Sequence, residues 1–167
     1  NTKVENLSGL IWYAGMTGNS DKEYLDYNLA SYNLKINFLH PILIINEISK
    51  KIIENKNSFI AIFTSVAGKR GRSKQLFYGP SKSGLINYSS ALRQKLNKKK
   101  IQVLTVIPGY MNTKPFRKLN ITAPNFLISS PKNVAKIIKK AVTNQKDIVY
   151  INSIWKIIML TINLIPE

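Results

Sequence analysis

Phe59-Ile-Ala-Ile-Phe-Thr-Ser65, then a polar loop, then Tyr78-Gly-Pro-Ser-Lys82, is the stretch on which the reading of this chain turns. The first run is short, apolar and of strand type, and Ser65 ends it, while Gly68 to Gln75 is a polar, glycine-containing loop. Tyr78 opens a helix. Pro80 is tolerated in a first turn, where its missing N–H costs little, and Leu85, Tyr88, Ser89, Leu92 and Leu96 continue a helical stripe. Residues four apart share a helix face, so Tyr78 and Lys82 are expected side by side, with Ser65 at the carboxyl end of the preceding strand. A phenol ordinarily titrates near pH 10; an adjacent ammonium favours the phenolate and lowers that value, which makes Tyr78 a usable acid-base group. Were Tyr78 to protonate a carbonyl oxygen, Ser65 is placed to hydrogen-bond that oxygen and polarise it.

The spacing alone is weak. Eight tyrosines in a lysine-rich chain yield about one Y-x-x-x-K by chance. The plain alternative is a surface Tyr, a solvated Lys and a strand-capping Ser. Tyr110 and Lys114 make a second match, but they follow Pro108-Gly109, where a single helix face is not expected to carry both. Outward from the first match the elements alternate. Strands fall near 9–14, 59–65, 101–107 and 147–151, and helices near 23–54, 78–98 and 131–143; Met111 to Ser130 is loop-rich, with Pro115 and Pro124 inside it and Pro131 directly after. Such alternation predicts an α/β fold with a parallel sheet covered by helices on both faces.

Four further segments agree with the short-chain dehydrogenase/reductase family, which the chain resembles from about Leu7 to Val149. Leu10-Ile-Trp-Tyr-Ala-Gly15 is similar to the family's fourth strand and its N-N-A-G turn along the cofactor ribose; Tyr13 replaces the second Asn, while Ala14 and Gly15 keep the pattern. Asn37, in Lys35-Ile-Asn-Phe-Leu39, matches the helix asparagine whose backbone holds a water in a proton relay. Ser65, Tyr78 and Lys82 match the catalytic Ser, Tyr and Lys, and Ser81 and Gly84 fit the S-K-x-G context. Ile101-Gln-Val-Leu-Thr-Val-Ile-Pro-Gly109 resembles the sixth strand and its turn, with Pro108, Gly109 and Thr113 at cofactor-facing positions. The resemblance implies a partial doubly wound (Rossmann-type) sheet and an NAD- or NADP-dependent oxidoreductase acting on a small carbonyl or alcohol substrate. It further implies that Lys82 grips the nicotinamide ribose, that Met111 to Ser130 forms a substrate lid, and that helix 23–54 packs against a second subunit in a homo-oligomer.

The family's first two βα units carry a Gly-rich turn that cradles the pyrophosphate on a helix N-terminus. No G-x-x-x-G-x-G stands in the first fourteen residues of this chain. At roughly 30 residues per βαβ unit, about 60 to 70 residues of the family pattern are expected upstream. The expectation is a single partial dinucleotide-binding domain over 1–167, a fragment without activity of its own, with an apolar segment at 152–167. A binding protein that keeps the fold without activity is the alternative, favoured by the absent phosphate loop.

Composition narrows the other classes. The chain has 167 residues, 44% of them hydrophobic, which is long enough for one domain with a core. Without cysteine, and with His40 as the single histidine, it cannot build disulfides, thiolate metal sites or a Ser-His-Asp triad, and cytoplasmic residence is the default. The net charge of +17 is spread through helices with no aromatic-basic RNA motif, so nucleic acid is not the expected partner. The basic loop Lys69-Arg-Gly-Arg-Ser-Lys74 is the one place to seek an anionic substrate. Ile154 to Ile165 is too short to span a bilayer and is expected to pack on the protein or on a subunit. The rival reading lays it in a membrane interface with Trp155 and Lys156 at the headgroups, as a looser resemblance to bacterial reductases of lipid-linked keto-sugars implies.

Overall fold

The computed structural model describes residues 7–52, 58–118 and 122–166. In chain order it has β1 (Gly9–Trp12), α1 (Ser20–Leu25), α2 (Tyr27–Leu34), a π-helical turn (Lys35–Leu39) and α3 (His40–Ile52). Next come β2 (Phe59–Phe63), α4 (Tyr78–Asn97), β3 (Gln102–Pro108), β4 (Tyr110–Met111), α5 (Lys114–Lys118), β5 (Ile128–Ser129), α6 (Pro131–Thr143), β6 (Ile148–Ile151) and α7 (Ile154–Leu164). Among the described residues β1, β2, β3 and β6 form one parallel sheet in that order. Side chains alternate across it as the pleat requires. Ile60, Ile62 and Val103 pack under α3 and α4 with Ile45, Leu85 and Leu92, while Ala61, Leu104 and Val106 pack under α6 with Val134 and Ile138. The expected α/β layering with helices on both faces is therefore present.

Two expectations are corrected. The single helix over 23–54 is broken: Asp26 is extended (φ −132°), and its carboxylate accepts from the backbone N–H groups of Asn28 (2.8 Å) and Leu29 (3.2 Å), ending α1 and starting α2. An Asp side chain offers the backbone an alternative to helical hydrogen bonds, so it acts as a cap even inside an apolar-periodic stretch. A π-helical turn then interrupts the same segment at Lys35–Leu39; residues 53–54 lie outside the described residues. The loop-rich stretch after β3 also carries short regular elements among its described residues, namely α5 and a second small sheet in which β4 pairs parallel with β5.

The C-terminal apolar segment is a helix packed on the body of the protein. Trp155 is 5% exposed, meets the Tyr110 ring edge-on at 5.2 Å between centroids, and donates from Nε1 to the Leu127 carbonyl at 3.1 Å. Gly109 is what admits it, because a Cβ there would stand 2.0 Å from Trp155 Nε1. Trp155 is thus a wedge in the protein and not a headgroup anchor. The other end of α7 is held by the basic loop: Arg70 Nη1 donates to the carbonyls of Ile162 and Ile165, and Arg72 Nη2 approaches Met159 Sδ at 4.0 Å. A guanidinium on the last carbonyls of a helix satisfies orphan acceptors and suits the helix dipole. Two of the four cations read as a place for an anionic substrate are engaged in this way.

Candidate active site

Parallel pairing puts the carboxyl ends of β1, β2 and β3 on one edge of the sheet, the usual position for a ligand crevice. From that edge emerge Tyr13-Ala14-Gly15, Thr64-Ser65 and Pro108-Gly109. Thr64 ties two of these ends together, its N–H and Oγ1 both donating to the Val106 carbonyl at 2.8 and 2.9 Å. Ser65 caps the 3₁₀ turn Val66–Lys69, its Oγ accepting from the Ala67 N–H at 3.1 Å. Tyr78 is the first residue of α4 and Lys82 lies one turn on, as the spacing predicts. Tyr110 and Lys114 fall on a strand and on the start of the next helix, so they are not the same arrangement.

The Ser65 side chain acts on the Tyr78 hydroxyl and favours its phenolate. Lys82 is buried, 3% exposed, with Nζ 5.5 Å from the centroid of the Tyr78 ring. The electrostatics differ from the sequence expectation. Burial pushes the Tyr78 phenol above its ordinary pKa, and Ser65 only partly offsets this. Burial also lowers the Lys82 pKa to about 8. Desolvation disfavours the charged form of each group. At neutral pH Tyr78 keeps its proton, as a proton donor must.

Lys82 makes stability depend on pH. Its pKa is 10.5 when unfolded and about 8 when folded, so between those values the unfolded chain holds more protons and this group's contribution rises with pH. Below pH 8 burying the ammonium costs about 3 kcal/mol. Lys82→Met is expected to resist urea better than the parent at pH 7, and the difference to close toward pH 10. A difference that stays constant with pH would show that Lys82 is not buried as an amine.

Asn37, fully buried in the π-helical turn, faces the same place. Its side chain pins the turn after β1, accepting at Oδ1 from the Met16 N–H (3.0 Å) and donating from Nδ2 to the Met16 carbonyl (2.8 Å). A Cβ on Gly15 would stand 2.9 Å from both Asn37 Oδ1 and Lys82 Nζ, so only a bare Cα lets that turn reach the two groups. Ala14 is exposed beside it. Thr113 directly precedes α5 and accepts at its carbonyl from the Arg117 N–H. Gly109, expected to face a cofactor, has an evident packing reason in Trp155. Sequence reading missed Glu23 and Asn33, which are buried and hydrogen-bonded to each other behind Asn37. The available signal was the i, i+4 spacing of Asn33 and Asn37.

A parallel α/β sheet with a Ser-Tyr-Lys cluster at its carboxyl edge defines a Rossmann-type fold of the dehydrogenase kind. Residues 1–124 match the short chain dehydrogenase family, and the chain belongs to that family. A ketoacyl reductase of Nostoc sp. is 30% identical over 153 residues, covering 89% of this chain and 53% of the relative. Nodulation protein G of Rhizobium meliloti is 34% identical over 121 residues, covering 70% of this chain and 48% of that protein. The chain thus spans about half the length of the curated relatives it matches. The fold also superimposes on a short chain dehydrogenase from Burkholderia cenocepacia solved with NADP, with TM-score 0.83, 17% identity, and 98% of this chain and 69% of that one covered.

Proposed function

We propose that this chain is the catalytic portion of an NAD- or NADP-dependent oxidoreductase that interconverts a carbonyl and an alcohol. The observation that carries the reading is buried Lys82 against the Tyr78 ring, one helical turn on, with Ser65 at the end of β2, all at the carboxyl edge of the sheet. The bare face of Gly15 beside Lys82 Nζ and Asn37 Oδ1 fits a group lying across that edge. Ala14, Gly15, Tyr78, Lys82, Pro108, Gly109 and Thr113 are the residues that would hold the dinucleotide, and Lys82 its ribose hydroxyls. When bound, the dinucleotide supplies or takes up the hydride. In the reducing direction the Tyr78 hydroxyl gives its proton to the carbonyl oxygen, and in the oxidising direction its phenolate takes one. Ser65 donates a hydrogen bond to the same oxygen, and Lys82 stabilises the phenolate left behind. Asn37 supports the exchange of protons behind Lys82.

The test is NAD(P)H oxidation against a panel of carbonyl compounds by the protein expressed with its flanking coding sequence. Turnover of any of them supports the reading, whereas dinucleotide binding without turnover favours the inactive, fold-retaining alternative. Exposed Leu29, Tyr32, Leu39, Leu43 and Ile44 on α2, the π-helical turn and α3 support a homo-oligomer built through these helices.

A second reading, contact with a membrane surface, rests on the outer face of α7. Ile157, Leu160 and Leu164 are 65%, 58% and 84% exposed at helical spacing, Lys156 lies beside them, and no acidic residue stands between Glu54 and Asp147. No described helix is long and apolar enough to cross a membrane, so the contact would be interfacial. Flotation with phosphatidylglycerol vesicles is expected at low salt, weakened at high salt and lost in Leu160→Asp/Leu164→Asp. Equal recovery of parent and variant with the vesicles would remove this reading.

A further inference from the structure

A buried chain of polar side chains runs from α1 to the candidate site. Glu23 is 6% exposed and accepts at Oε1 from Asn33 Nδ2 at 2.7 Å. Asn33, fully buried, accepts at Oδ1 from Asn37 Nδ2 at 2.8 Å. Asn37 Nδ2 also reaches the Asn33 carbonyl at 3.1 Å, and Asn37 Oδ1 takes the Met16 N–H. The inner end therefore meets the Gly15–Met16 turn and Lys82. The outer end lies under the same loop, where a Cβ on Gly18 would stand 1.5 Å from Glu23 Oε1.

The chain has a direction, and the carboxylate sets it. A carboxylate accepts and does not donate, whereas an amide presents an acceptor at one end and donors at the other. Glu23 therefore draws the Asn33 amide nitrogen toward itself and leaves Asn33 Oδ1 for Asn37. Asn33 Oδ1 in turn draws Asn37 Nδ2 and leaves Asn37 Oδ1 for the Met16 N–H and for the side where Lys82 Nζ stands. If both amides turned over together, Asn37 would present N–H groups to a backbone N–H and an ammonium, and buried donors left without acceptors cost heavily.

We propose that Glu23 is a positioning residue. Through Asn33 it sets which end of the Asn37 amide faces the site, and so holds the Gly15–Met16 turn against Lys82. The proposal rests on the oxidoreductase reading for its kinetic consequence and on the hydrogen-bond chain alone for its structural one.

The test uses Glu23→Gln, Asn33→Asp and the double variant, with Tyr78→Phe run beside them. Glu23→Gln removes the directing charge, and kcat is expected to fall about tenfold with KM for the carbonyl little changed. Asn33→Asp sets two carboxylates against each other and falls at least as far. In the double variant the new amide at 23 donates to the new carboxylate at 33, which still accepts from Asn37 Nδ2, so kcat returns toward the parent value. A merely structural role for Glu23 would not produce that rescue. A second readout needs no turnover: in this 167-residue chain the Asn37 side-chain amide protons are expected to exchange slowly, quickly in Glu23→Gln, and slowly again in the double variant. Parent-like kcat in Glu23→Gln, or a double variant no better than the singles, overturns the proposal provided Tyr78→Phe is inactive. If Tyr78→Phe keeps turnover, the oxidoreductase reading is what fails, and the amide exchange still decides for or against the Glu23 chain.

Discussion

Tyr78→Phe is expected to lower kcat about a thousandfold in the protein expressed with its flanking sequence, with dinucleotide affinity nearly unchanged. The substitution removes one oxygen from a partly buried ring at the start of α4. The ring that Lys82 Nζ approaches at 5.5 Å remains, so the fold and the Lys82 environment persist. What disappears is the hydroxyl on which Ser65 acts, the proton donor of the proposed reaction. Because burial keeps Tyr78 protonated, its loss should weigh most on the reducing direction at neutral pH. Separate measurement of kcat and of dinucleotide binding makes the outcome unambiguous: retention of even a tenth of parental turnover would rule Tyr78 out as the acid.

Trp155→Ala is expected to cost about 3–5 kcal/mol in urea unfolding of this chain. It vacates the space against Gly109, removes the edge-on contact with Tyr110 and leaves the Leu127 carbonyl without its indole donor. Against a typical total of about 5–15 kcal/mol, that loss brings the chain close to unfolding. Trp155→Phe keeps an aromatic wedge but lacks the N–H, and should cost about 1–3 kcal/mol, so the pair separates packing from hydrogen bonding even if the alanine variant does not fold. A loss below 1 kcal/mol in Trp155→Ala would mean that α7 is not docked on the Pro108-Gly109 turn. The consequence for the site is direct. Trp155 touches the turn after β3, reaches the segment ending at Leu127, and belongs to a helix held at its far end by Arg70 from the loop between Ser65 and Tyr78.

Much of this was legible before any coordinates. Phe59 to Phe63 is a short apolar run of strand type and Gln102 to Pro108 falls in the strand expected near 101–107, and α6 coincides with its periodic stretch over 131–143. Tyr78 and Lys82 were readable because a helix repeats nearly every four residues, and the turn glycines because they match the family's pattern. Asp26 was not readable as a break, since an Asp within a helical period signals a cap only when its carboxylate finds the N–H groups two and three residues on. Nor was the direction of the Tyr78 pKa, which depends on how much protein surrounds the hydroxyl.

The sequence by itself determined the alternation of elements, the family, and the side chains available for chemistry, because these follow from local periodicity and from residue types at fixed spacing. Only the tertiary structure decided that Trp155 is buried, that Arg70 holds a helix end, that Lys82 lies desolvated beside Tyr78, and that Glu23 and Asn33 stand behind Asn37. Each of these is a contact between distant segments, and burial and hydrogen-bond direction exist only once the chain has closed around them.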